Sequence, residues 1–265
     1  MKPNYKMTLA LITIVIAMIG STAEAGITTK TITYEDQGQS LQGYLAYDDA
    51  VKGRRPAILV VHEWWGLNDY VRKRVDQLAG LGYVAFASDM YGKGRVTEHP
   101  NEAGEWATQV SKNSEFWRRR ALAGLAVLKN QPQTDPSRIA AIGYCFGGST
   151  VQQLAYSGAD IRGVVSFHGA LQMPPQSTVA IKSRILICQG GADPFIEPQQ
   201  FQDYLAAMEK SGLDYQVIVY SGAKHAFTNP DADKKGMAPL GYSPSADRRS
   251  WADMKLFFDQ IFSAN

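Results

Sequence analysis

The stretch from Arg138 to Gly148, Arg-Ile-Ala-Ala-Ile-Gly-Tyr-Cys-Phe-Gly-Gly, constrains this chain more than any other. An apolar run, Ile139 to Ile142, leads straight into a turn with glycines on both sides of one reactive residue, Cys145. The pattern predicts a strand, a sharp corner and a helix. Such a corner strains the backbone at its centre and leaves no room for neighbouring Cβ atoms, so glycines flank it. The central side chain is thereby lifted off the sheet at the N-terminus of the next helix. There a thiol meets the positive end of the helix dipole, and the Phe146 N–H is free to receive an oxyanion.

Two partners follow in the order that such an elbow uses, nucleophile, then acid, then base. Arg184 to Pro194 places Asp193 just past an apolar strand, and Tyr215 to His225 places His225 just past the next. All three residues therefore fall at carboxyl ends of strands, the edge where open α/β sheets hold their sites. A thiol, an imidazole and a carboxylate so ordered support acyl transfer from an ester or lactone to Cys145 and then to water. His225 serves as base and Asp193 orients it. This chemistry calls for no metal or organic cofactor. The histidines, His62, His99, His168 and His225, show no ligand spacing among them.

From about Thr31 to about Phe262 the chain resembles the dienelactone hydrolase family of the α/β-hydrolases, in which the elbow carries cysteine where most relatives carry serine. The motifs that carry the resemblance are Gly143 to Gly148, Gly190 to Asp193, Lys224 to Phe227 and His62-Glu63-Trp64-Trp65-Gly66. It implies an α/β-hydrolase fold with a mostly parallel central sheet and helices on both faces. It also implies that Glu63 bonds the resting thiol and takes its proton as substrate binds, and that the Trp64 N–H joins Phe146 in the oxyanion hole. A pair of arginines holds a substrate carboxylate in the family. Here the first position is Lys93 and the second, four residues after the histidine, is Asn229, so the dienelactone preference is not expected to carry over. Trp64, Trp65, Tyr91, Tyr144 and Phe227, aromatic residues at strand ends, are expected to wall the pocket.

Residues 1–25 read as a secretory signal peptide. Lys2 and Lys6 form a basic front, Met7 to Gly20 an apolar segment shorter than the roughly 20 residues a bilayer span needs, and Ala23-Glu24-Ala25 a cleavage site. Export to the periplasm or medium follows as the expectation, with no stable membrane anchor after cleavage. Residues 26–265 fit one large α/β domain. A net charge of +2, with no basic stripe interleaved with aromatics, gives no support for a nucleic-acid partner; the expected partner is a small ester or lactone. Arg118-Arg119-Arg120 reads as a solvated helix face. Cys145 and Cys188 fall on strands expected two places apart, about 9.6 Å, beyond the roughly 7 Å Cα reach of a disulfide, so both are expected as free thiols.

Repeated strand and helix patterns predict a sheet covered on both faces. Ile27 to Tyr34 and Leu41 to Tyr47 alternate as an edge hairpin, and Ala57 to Val61 reads as a central strand. Tyr83–Ala87, Ile161–Phe167, Ile185–Gln189 and Tyr215–Tyr220 read as further strands. Asn68–Gly80, Asn101–Leu128, Pro198–Ser211 and Ala246–Phe262 read as helices, with Thr150–Tyr156 continuing the elbow helix. Two other functions compete with hydrolysis. A non-catalytic ligand-binding module would have no use for Cys145, Asp193, His225 and Glu63 together, and a thiol redox protein would need a second, nearby cysteine.

Overall fold

The computed structural model describes residues 26–178 and 180–263; the expected signal peptide lies outside them. Eight strands form one sheet: β1 (Ile27–Asp36), β2 (Gln39–Asp48), β3 (Arg55–Val61), β4 (Val84–Ser88), β5 (Thr134–Tyr144), β6 (Gly163–Phe167), β7 (Arg184–Gly190) and β8 (Tyr215–Tyr220). Their order is β1-β2-β4-β3-β5-β6-β7-β8. Strand β2 pairs antiparallel with both β1 and β4, and every pairing from β4 to β8 is parallel. The hairpin thus caps one edge, and the apolar strands occupy the middle.

The helices are α1 (Asp69–Gly80), α2 (Pro100–Ser111), α3 (Ser114–Lys129), α4 (Phe146–Tyr156), α5 (Pro198–Ser211) and α6 (Pro244–Ser263). Alternation along β3 shows how they are shared between the faces. Ala57, Leu59 and Val61 belong to one core with residues of α2 to α5, while Ile58 and Val60 belong to the other with α1 and α6. A strand buried on both faces reads as an unbroken apolar run for this reason.

Two expectations are corrected. The helical stretch Asn101–Leu128 is two helices, because Asn113 leaves helical geometry (φ −127°, ψ 110°) and its side chain accepts the Phe116 N–H at 2.9 Å as an N-cap. The Arg118–Arg120 run is not a solvated face. Arg120 is 1% exposed, and it and Arg119 both bond the Asp36 carboxylate at the end of β1, clamping α3 to the edge hairpin. Cys145 and Cys188 are free, and two strand steps separate β5 from β7.

Candidate active site

Strand β5 delivers Cys145 at φ 54°, ψ −116°, a strained positive-φ conformation from which the chain turns directly into α4. The glycines make that reversal possible. A Cβ on Gly143 would lie 2.0 Å from Gly147 O, and one on Gly147 would lie 2.2 Å from Val61 O, so the elbow sits backbone to backbone against the end of β3. The Phe146 N–H, first in α4, has no partner within its helix. The Trp64 N–H makes none of the turn and loop backbone hydrogen bonds of the described residues.

The loops after β7 and β8 bring the other two groups to the thiol. His225 Nε2 lies 3.0 Å from Cys145 Sγ, and His225 Nδ1 donates to Asp193 Oδ2 at 2.8 Å. Asp193 Oδ1 accepts the Phe195 N–H at 3.0 Å. Its Oδ2 also accepts from Gln189 Nε2 at 3.0 Å, a residue not anticipated in the site. Its signal was available in its position at the end of β7, four residues before Asp193. Burial of His225 opposes its positive form, but Cys145 and Asp193 outweigh it and raise the imidazole to about 10. An imidazole so placed can take a proton from the thiol.

Glu63 follows β3 and is 1% exposed. Burial raises its carboxyl to about 7, opposed chiefly by a hydrogen bond from Asn229 Nδ2 to Glu63 Oε2 at 2.7 Å. The side-chain partner of the thiol is His225; no Glu63–Cys145 hydrogen bond is present among the described residues. Asn229, expected as a substrate contact, is instead a partner of Glu63 and does not line the cavity beside the thiol. His62 is also structural: its Nδ1 donates to Glu63 O and its Nε2 accepts the Met90 N–H.

Beside the thiol opens a cavity of about 450 Å³. Trp64, Trp117, Phe146, Phe195, Ile196, Met237 and Leu240 give it apolar walls, and Ser111, Ser149 and Gln172 add neutral polar groups. No Lys, Arg, Asp or Glu lines it among the described residues. Of the expected wall, Trp64 is in place. Tyr91 stands behind it, its hydroxyl donating to Trp64 O at 3.1 Å and its ring packed on Phe146.

The remaining pocket expectations are corrected. Tyr144 points to the opposite face of the sheet, where its ring stacks on Phe167 and meets Tyr70 edge-on, because side chains alternate along β5. Phe227 is fully buried between His168 and Tyr220. Trp65 is 2% exposed, with Lys235 over its ring. Lys93 is exposed and held away by its loop: Asp89 accepts the N–H groups of Gln42, Tyr91, Gly92 and Gly94, and Lys93 N–H donates to Ser40 O on the hairpin. The nearby cations are engaged too. Arg95 lies over Trp106 at 4.3 Å, and Lys224 Nζ donates to Ala238 O.

The sheet order and the strand-end cluster define an α/β-hydrolase. Residues 41–262 match the dienelactone hydrolase family, and the chain belongs to it. It is accordingly a hydrolase of ester or lactone bonds. A relative from Aquifex aeolicus, provisionally named a carboxymethylenebutenolidase, is 32% identical over 75% of this chain and 86% of its own. Among solved structures, one named m3DLH is similar at 36% identity and a TM-score of 0.86, covering 89% of this chain and 99% of its own. A dienelactone hydrolase-like promiscuous phosphotriesterase from metagenomic libraries is similar at 34% identity and the same TM-score of 0.86, covering 91% and 100%.

Proposed function

We propose that the chain hydrolyses neutral, largely apolar esters or lactones through an acyl-thioester on Cys145. The observation that carries this reading is the line of contacts from Asp193 Oδ2 through His225 to Cys145 Sγ, beside a cavity that no Lys, Arg, Asp or Glu lines among the described residues. The thiol proton passes to His225 Nε2 as sulfur attacks the carbonyl carbon, and the Phe146 and Trp64 N–H groups receive the oxyanion. Collapse breaks the carbon–oxygen bond, and the imidazolium protonates the departing alkoxide. Water, giving its proton to His225, then attacks the thioester. The second collapse releases the acid and returns the sulfur to its starting state.

Glu63 takes part through its charge. Ionised, it favours the imidazolium that forms at His225 as the thiol gives up its proton. Export accompanies this activity, on the strength of the basic, apolar and small-residue segments of residues 1–25. A mature N-terminus at Gly26 in the exported protein tests that part.

The deciding experiment is turnover of a chromogenic short-chain ester before and after iodoacetamide, with the modified peptide identified by mass. Loss of turnover in step with labelling of Cys145 is the expected result. Full activity in the labelled protein would exclude the mechanism. A second reading, cleavage of neutral phosphate triesters, draws on the same cavity and on the likeness to the promiscuous phosphotriesterase. An aryl dialkyl phosphate run in the same assay tests it.

A further inference from the structure

His168 directly follows β6, is fully buried, and holds a left-handed backbone at φ 41°. Its own N–H donates to Cys188 O at 2.9 Å, which fixes it to β7. Its ring Nδ1 accepts the backbone N–H of Cys145 at 3.1 Å, an N–H shared with Phe167 O at 3.0 Å. A backbone N–H can only donate, so Nδ1 carries the lone pair and the ring proton is on Nε2. That proton points to Thr228 Oγ1 at 2.7 Å. Thr228, three residues past His225, is itself gripped twice, by the Tyr70 hydroxyl at 2.7 Å and by Arg74, which donates to Thr228 O at 2.7 Å.

We propose that His168 is a positioning residue, a strut whose two ring nitrogens hold the backbone of the nucleophile and the loop of the base at a fixed separation; this rests on the reading of Cys145 and His225 as nucleophile and base. The two residues come from different strands and are 80 positions apart in the chain, yet proton transfer needs them within hydrogen-bond reach. A strained residue such as Cys145 persists only where its surroundings over-determine it. The Nδ1 acceptor is one of the groups that do so. The strut works only with a neutral ring. Burial lowers its pKa well below the usual histidine range, and the positive charges of His225 and Arg74 act in the same direction.

The variants that test the strut are His168→Leu, His168→Asn, His168→Gln and Thr228→Val. An asparagine amide oxygen reaches the place of Nδ1, whereas a glutamine amide reaches the place of Nε2 and leaves Cys145 without the ring acceptor. Three quantities are measured: kcat and KM on a chromogenic short-chain ester, the rate of Cys145 alkylation by iodoacetamide, and the melting temperature. In His168→Leu, kcat and alkylation rate should fall on the order of tenfold, since sub-ångström to ångström misplacement costs up to about 10²-fold, while KM stays within about threefold. His168→Asn should recover most of the loss, and Thr228→Val should fall between.

A His168→Leu protein within about threefold of wild type in both rates would overturn the strut, the line being drawn well short of the misplacement cost. So would an asparagine variant as impaired as the leucine one. If the leucine variant does not fold, the asparagine and glutamine variants decide: the first faster than the second supports the strut, and equal rates refute it. A wild-type protein that turns over no ester sinks the hydrolase reading, while the alkylation rates still judge the strut.

Discussion

Asn229 donates its side-chain amide to Glu63 Oε2 at 2.7 Å, across 166 positions of sequence, and both residues are almost wholly buried. The partner is neutral, so it orients the carboxyl without supplying a full charge to offset burial. The carboxyl rises from 4.5 to about 7. Between those values the folded state binds a proton that the unfolded state has lost, so this group's contribution to stability is intact below about 4.5 and declines as pH climbs to about 7. Glu63→Gln, which cannot ionise, should therefore match wild type at acid pH. Above neutrality it should melt on the order of 10 °C higher, the rise amounting to about 3 kcal/mol and each kcal/mol being worth about 2–4 °C in a domain of this size. Melting curves from pH 4 to 8 check this, and a difference that does not vary with pH counts against it. The same variant should turn over ester more slowly, since it loses the charge facing His225.

The two cysteines differ in environment and should differ in chemistry. Cys188 lies in β7, fully buried, and burial pushes its thiol up to about 12. Cys145 is partly exposed at the cavity. Iodoacetamide at neutral pH should label Cys145 alone in the folded protein. Cys145→Ala should melt near the wild-type temperature and lose on the order of 10³ or more in kcat. Cys188→Ala should keep its activity within a few fold, and labelling of Cys188 in the native state would contradict the burial argument.

The elbow's close packing predicts a sharp contrast between two glycines. A methyl on Gly147 meets Val61 O at 2.2 Å and His62 O at 2.7 Å, backbone atoms that no rotamer change can move. Gly147→Ala should cost roughly 1–3 kcal/mol or more and take the activity with it, because Cys145 must shift. A methyl on Gly104 in α2 meets only the Trp64 ring, at 3.7 Å. Gly104→Ala should be neutral or gain up to about 1 kcal/mol from helix propensity. Thermal melts of the pair decide it.

The sheet, the elbow and the acid–base order were legible in the sequence because each rests on neighbours in the chain. Ile139 to Gly148 announces a strand, a corner and a helix by local composition alone, and the break at Asn113 could have been read from its capping side chain. What escaped depends on groups far apart in sequence. Nothing near Asn229 says that it faces Glu63, nothing near Arg120 says that Asp36 waits 84 positions upstream, and Tyr144 differs from a pocket residue only in which face of β5 it points to. Aromatic residues at strand ends are equally suited to core and cavity, and tertiary packing divides them.

Substrate charge provides the remaining prediction. No Lys or Arg lines the cavity among the described residues, and His225 is engaged by Cys145 and Asp193, so a substrate carboxylate would enter without a free cation to replace its water. Lys93 stands outside the cavity, Arg95 lies on Trp106 and Lys224 is bonded to Ala238 O. A neutral lactone should therefore be hydrolysed with a higher kcat/KM than an acidic dienelactone of similar size. Ser111 lines the cavity at the end of α2 and is half-buried. Ser111→Arg should shift the ratio toward the acid by about 10- to 150-fold, the worth of one charge-assisted contact of roughly 1.5–3 kcal/mol expressed in the transition state. Asn229→Arg should not reproduce this shift, because its guanidinium would meet Glu63 first. The neutral-substrate reading fails if wild type prefers the acid, or if a folded Ser111→Arg protein leaves the ratio where it was.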